Sequence, residues 1–127
     1  MKKIFTSLFF IAAIVSCKKE ETVKSKPYNI EYKILATPLA NSSVIGTVSY
    51  ISKTSVTSAG SVTNSGWNVA ENNWILNAGD KIGFTASVGN FADYQASITV
   101  DGVVKAFQFG AQTVPITTKL NLSYTIE

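Results

Sequence analysis

Of the side chains able to do covalent chemistry, the sequence offers one cysteine, Cys17, and no histidine. Without histidine there is no Ser-His or Cys-His nucleophile pair and no His/Cys zinc site. One thiol cannot close an internal disulfide, so the fold must hold by packing alone. Four carboxylates, Glu71, Asp80, Asp93 and Asp101, could give oxygen ligands to calcium or pair for glycoside hydrolysis. They are scattered, lack loop-ligand spacing, and nothing marks two of them as neighbours, so turn-forming and solvating roles are expected. The rings of Trp67, Trp74, Phe91 and Tyr94 could form an exposed platform on which a sugar stacks, or fill the core or its rim. The expectation is a chain with no catalytic residue, metal or cofactor, that is, not an enzyme.

Cys17 ends a leader. Lys2 and Lys3 precede a twelve-residue, mostly apolar run, residues 4–15, and small Ser16, the layout of a signal peptide. Twelve helical residues rise about 18 Å, short of the ~30 Å hydrocarbon core of a bilayer, so the run is expected to be removed rather than to span. Ile14-Val15-Ser16-Cys17 resembles a bacterial lipobox of the relaxed kind found in Bacteroidetes-type lipoproteins. That resemblance implies cleavage before Cys17 and acylation of its thiol and new amino group, a palmitate-type lipid anchor. One acyl chain holds a protein marginally, whereas two or three hold it firmly. Lys18-Lys19-Glu20-Glu21 resembles the charged export signal that takes some of these lipoproteins to the outer face of the outer membrane; it also reads as a solvated tether. The organisation expected is a signal peptide at 1–16, lipidated Cys17 and a tether over 17–27, and one domain at 28–127.

The formal charge of +3 and pI near 9.0 invite a nucleic-acid reading, but the charges sit in the wrong place. All eleven cations are lysines, and Lys2, Lys3, Lys18, Lys19, Lys24 and Lys26 belong to leader and tether. From Tyr28 onward five lysines face six acids, a net of −1. With no arginine and no basic face to meet phosphates, nucleic acid is not an expected partner.

The domain reads as strands separated by turns, with no helix after the leader. Residues 28–36 alternate, with Tyr28, Ile30, Tyr32 and Ile34 on one face. Residues 44–52 follow with Val44, Val48 and Tyr50 on one side, and Gly46 within them suggests a bulge or close packing. Residues 53–66, rich in Ser, Thr, Gly and Asn, read as a long polar hairpin or mobile loop. Residues 67–77 are strand-like, interrupted by Glu71-Asn72-Asn73, and Ala78-Gly79-Asp80 turns the chain. Residues 81–88 put Ile82, Phe84, Ala86 and Val88 inward. Asp101-Gly102 reads as the type I′ turn of a two-residue hairpin joining 95–100 to 103–110. Pairing Val100 with Val103 then sets Ile98 opposite Lys105 and Ala96 opposite Phe107. Residues 116–126 close the fold with Leu120, Leu122, Tyr124 and Ile126 on one face. About seven strands of this kind predict an all-β fold, an antiparallel immunoglobulin-like β-sandwich.

In order, Glu31-Tyr32-Lys33-Ile34, Gly46-Thr47-Val48-Ser49-Tyr50, Asn73-Trp74, Ala78-Gly79-Asp80-Lys81, Phe84-Thr85-Ala86 and Ile98-Thr99-Val100-Asp101-Gly102 resemble the mycobacterial membrane protein small family and its lipoprotein relatives. The resemblance implies a membrane-anchored, extracytoplasmic β-sandwich; family members accompany lipid exporters. This chain departs in its lipobox Cys, its long segment at 53–66 and its lack of paired cysteines. Together these readings predict a non-enzymatic, lipid-anchored cell-envelope lipoprotein of the outer membrane. Its domain is expected to be an interaction or transport-accessory module for an envelope protein, or alternatively a surface carbohydrate-binding module with a glycan partner.

Overall fold

The computed structural model describes residues 25–54 and 57–127; the leader, Cys17 and the tether up to residue 24 lie outside the described residues. Eight strands follow one another: β1 (Lys26–Pro38), β2 (Ile45–Ile51), β3 (Thr57–Val62), β4 (Trp67–Leu76), β5 (Lys81–Gly89), β6 (Phe91–Val100), β7 (Val103–Ala111) and β8 (Thr118–Thr125). They form two antiparallel four-stranded sheets, ordered β4-β1-β6-β7 and β3-β2-β5-β8. The all-β sandwich is therefore as expected, with eight strands instead of about seven. The added strand is β3, which lies in the segment expected to be a long polar hairpin or mobile loop, and its antiparallel pairing with β2 agrees with the hairpin.

Alternation decides which side chains fill the space between the sheets. Ile30, Tyr32 and Ile34 of β1, Ile82, Phe84, Ala86 and Val88 of β5, and Leu120 and Leu122 of β8 are all buried in one cluster. Each large apolar side chain so buried contributes about 1.5–3 kcal/mol relative to exposure. At Gly46 the ladders to β3 and β5 run without a break, and a Cβ there would lie 2.7 Å from the Ser87 carbonyl oxygen. Close packing, not a bulge, is what that glycine permits.

The β6–β7 hairpin turns through Asp101 and Gly102, both at positive φ (48° and 80°), as a type I′ turn requires. Asp101 also ties the turn to β1: its N–H donates to the Asn29 carbonyl and its Oδ1 accepts from the Asn29 N–H, each at 2.9 Å.

Because the strands run antiparallel, the connections gather at two poles. Lys26, the β4–β5 turn, the Asp101-Gly102 turn and the carboxyl end share the entry pole; Gly79 N–H there donates to the Ile126 carbonyl at 2.7 Å. The connections 39–44, 63–66 and 112–117 and residue Asn90 lie at the far pole, where Leu39 N–H donates to the Asn90 carbonyl at 3.0 Å. The entry pole carries Lys26, Lys53, Asp80, Lys81, Asp101 and Glu127, whereas no far-pole connection holds a charged residue.

Three register shifts set the rest, and the one at Thr37/Pro38 leaves Ala92 as an extra residue on β6. On β4, Tyr28 pairs with Trp74 and Ile30 with Glu71, so three steps on β4 match two on β1. Trp67 and Trp74 are an odd number of residues apart and would face opposite sides of a regular strand; the extra residue at Asn72-Asn73, with Asn73 at φ 53°, turns both inward. On β7, Thr99 pairs with Val104 and Ile98 with Ala106, leaving Lys105 as the extra residue. This corrects the sequence-derived register, in which Lys105 faced Ile98. A charge opposite a fully buried isoleucine would be costly, and the bulge removes it.

Candidate functional site

The four rings expected as a possible sugar platform are inside. Trp67, Trp74, Phe91 and Tyr94 are all buried core residues, so no exposed platform of these four exists, and the core reading is the one the structure bears out. Trp67 lies in a cluster with Tyr32, Tyr50 and Phe84: its ring stacks on Tyr32 (6.4 Å between centroids, 8° between planes) and meets Phe84 edge-on at 5.5 Å. Gly60 of β3 makes room for it, since a Cβ there would sit 2.4 Å from the indole Nε1. Phe91 and Tyr94 form a T-shaped pair at 5.1 Å. Tyr94 runs across Gly110 of β7, where an added Cβ would meet the ring at 2.7 Å, and its hydroxyl accepts a bond from Gln108 Nε2 at 3.0 Å.

Tyr32 does more than pack. The ladder between β2 and β5 ends at Tyr50–Phe84, so the next pair would be Ile51 and Gly83. Into that position the hydroxyl of Tyr32 reaches from the opposite sheet. It donates to the Ile51 carbonyl at 3.0 Å and accepts from the Gly83 N–H at 3.3 Å. One side chain thereby joins both sheets. Burial raises its pKa well above the ordinary 10.0, opposed only in part by the hydrogen bond from Gly83.

The carboxylates do not converge. Glu71 stands at the β4 bulge, Asp93 on β6, Asp101 in the hairpin turn, and Asp80 in the β4–β5 turn, where its Oδ2 accepts from the Asn77 N–H at 2.8 Å. Among the described residues no three His, Cys, Asp or Glu side chains come together. Cys17, the residue assigned a definite chemical role from sequence, lies outside the described residues.

What sequence reasoning missed is an exposed aromatic edge. The β7 bulge turns Phe107 and Phe109 to the outer face of the sheet, opposite Ser97 and Gln95, where they are 54% and 73% exposed. Their rings lie 5.8 Å apart. Val104 is exposed on the same strand, and Val114 and Ile116 in the connection that follows it. Exposed apolar residues scattered singly mean little; Phe107 and Phe109 instead stand side by side on one edge strand. The signal was present in the sequence: the unbulged register buried Lys105, and that conflict itself calls for an extra residue in β7.

At the entry pole a cleft of about 270 Å³ opens between the β7 and β8 edges, lined among others by Tyr28, Val103, Lys105 and Tyr124. Lys26 lies over the Tyr28 ring at 5.0 Å and Lys105 over Tyr124 at 5.6 Å. Both cations thus cover aromatic faces, and Lys26 also faces the Asp101 carboxylate at 3.8 Å. Neither a protein family nor a curated protein matches the chain.

Proposed function

We propose that this chain is a lipoprotein of the cell envelope, held at the outer membrane by acyl chains on Cys17, whose β-sandwich is a non-enzymatic interaction or transport-accessory module. The observation that carries the reading is Ile14-Val15-Ser16-Cys17 placed directly after one apolar run, with β1 beginning nine residues later at Lys26. Nine extended residues reach about 30 Å at most, enough to lift a small domain clear of lipid headgroups. The resemblance to membrane-anchored, extracytoplasmic sandwiches supports the same placement. The interaction role is supported by the aromatic edge of β7, which does nothing for the core.

Fractionation of wild type against Cys17→Ala tests the anchor. Wild type is expected in the membrane fraction and Cys17→Ala in the soluble fraction, with acyl mass on the peptide that begins at Cys17. Equal membrane retention of the two proteins refutes anchoring.

A further inference from the structure

The four edge strands of the sandwich are not treated alike. β3 is six residues long, β4 is broken by the bulge at Asn72-Asn73, and β8 carries Lys119 within its ladder. Short strands, bulges and lysines are the usual means of blocking edge-to-edge pairing. β7 has its bulge and lysine at one end only. Residues 106–111, Ala-Phe-Gln-Phe-Gly-Ala, contain no charge and no proline and pair on one side alone, with β6. Since an antiparallel ladder alternates, every second residue here turns its N–H and C=O away from β6, toward a flank on which no described strand is hydrogen-bonded to β7.

We infer that a second copy of this chain occupies that flank, its β7 adding antiparallel to the first to make one continuous eight-stranded sheet. A two-fold centred on Gln108 sets Phe107 of each copy opposite Phe109 of the other, giving two cross-strand aromatic pairs on the outer face. The charges fit the same arrangement. Ala111 pairs with Asp93 within one copy, and the two-fold brings Lys105 of the other copy opposite Ala111. In the single copy that lysine lies over the Tyr124 ring; on pairing it leaves that ring for Asp93, two strands or about 10 Å away across a small alanine. The uncharged stretch between has nothing to repel its own copy, whereas a charged strand would find no counter-charge there.

This inference names a partner for the interaction role proposed above and is independent of the anchor. It is therefore measured on residues 25–127, which contain both sheets and the whole core. Sedimentation velocity is expected to show a species of twice the monomer mass whose share grows with concentration. Phe109→Lys, and separately Phe109→Ser, are expected to weaken association about tenfold or more without lowering the thermal midpoint measured at a concentration where wild type is monomeric. Ile75→Lys, at a position 58% exposed on the opposite edge strand, is expected to leave it unchanged. Three results overturn the inference: a monomer up to about 1 mM, equal loss in Phe109→Lys and Ile75→Lys, or crosslinks from position 107 on intact cells that reach only other proteins. Failure of Cys17→Ala to leave the membrane would refute the anchor and leave this result standing.

Discussion

On β4, the extra residue at Asn72-Asn73 turns Trp74 toward the core; on β7, the extra residue Lys105 turns Phe107 and Phe109 toward solvent. Both strands are edges of the same sheet, and both carry large rings. A side-chain period of two means that one inserted residue reverses every later side chain. The chain has used that reversal in opposite senses, once to stabilise the fold and once to leave rings free for contact. Aromatic content alone therefore says nothing about which rings can bind.

The contrast can be broken most severely from its buried side. Trp67→Ala removes a ring packed against Tyr32, Tyr50 and Phe84 and is expected to cost about 3–5 kcal/mol, read by denaturant unfolding. Next, deleting Asn72 removes the β4 bulge. Trp74 should then lose its inward position, with a red-shifted emission and about 2–3 kcal/mol less stability; unchanged emission would show that the bulge does not set that ring's face.

Tyr32→Phe keeps the packing and removes the hydroxyl between Ile51 and Gly83, leaving two backbone groups unpaired at a cost of about 1–3 kcal/mol. Its pH dependence has a definite sign. Unfolded chains release the phenolic proton near 10.0, while burial keeps it on in the folded protein. The unfolded state then binds fewer protons, so wild-type stability, complete below that value, falls as pH rises, by up to about 1.4 kcal/mol per pH unit. The advantage of wild type over Tyr32→Phe should shrink accordingly above pH about 10, in unfolding curves compared at successive pH values. The smallest effect is on the exposed side: Phe109→Ser should change stability by no more than about 0.5 kcal/mol, because its ring touches little of the core.

Much of the fold is legible where one face is apolar and the other wet. β1, β5 and β8 alternate plainly, and Asp101-Gly102 specifies its own turn. β3 is illegible for the converse reason: it sends only Val62 into the core as a large side chain, and its inward-facing Gly60 serves by being small. The bulges are harder still, since an inserted residue leaves no mark in composition. Asn72 and Asn73 looked like an interruption of a strand, whereas they are what lets both tryptophans share one face. For the four candidate rings both the platform and the core reading stayed open, because the faces of Trp74 and Phe91 depend on the bulges at Asn72-Asn73 and Ala92. The edge formed by Phe107 and Phe109 was missed because the register through Val100 and Val103 was carried one residue too far.

The placement of β1 has a mechanical consequence. Everything that precedes Lys26 is attached to a strand in the interior of its sheet, hydrogen-bonded to β4 on one flank and β6 on the other. A pull exerted through that segment runs along the strand and loads both rows of bonds together, in shear. An edge strand such as β8 would bring a single row into play. The Asn29–Asp101 pair at the entry pole closes the row on the side where the load arrives. A load applied at Lys26 would thus fall on an interior strand and not on an edge.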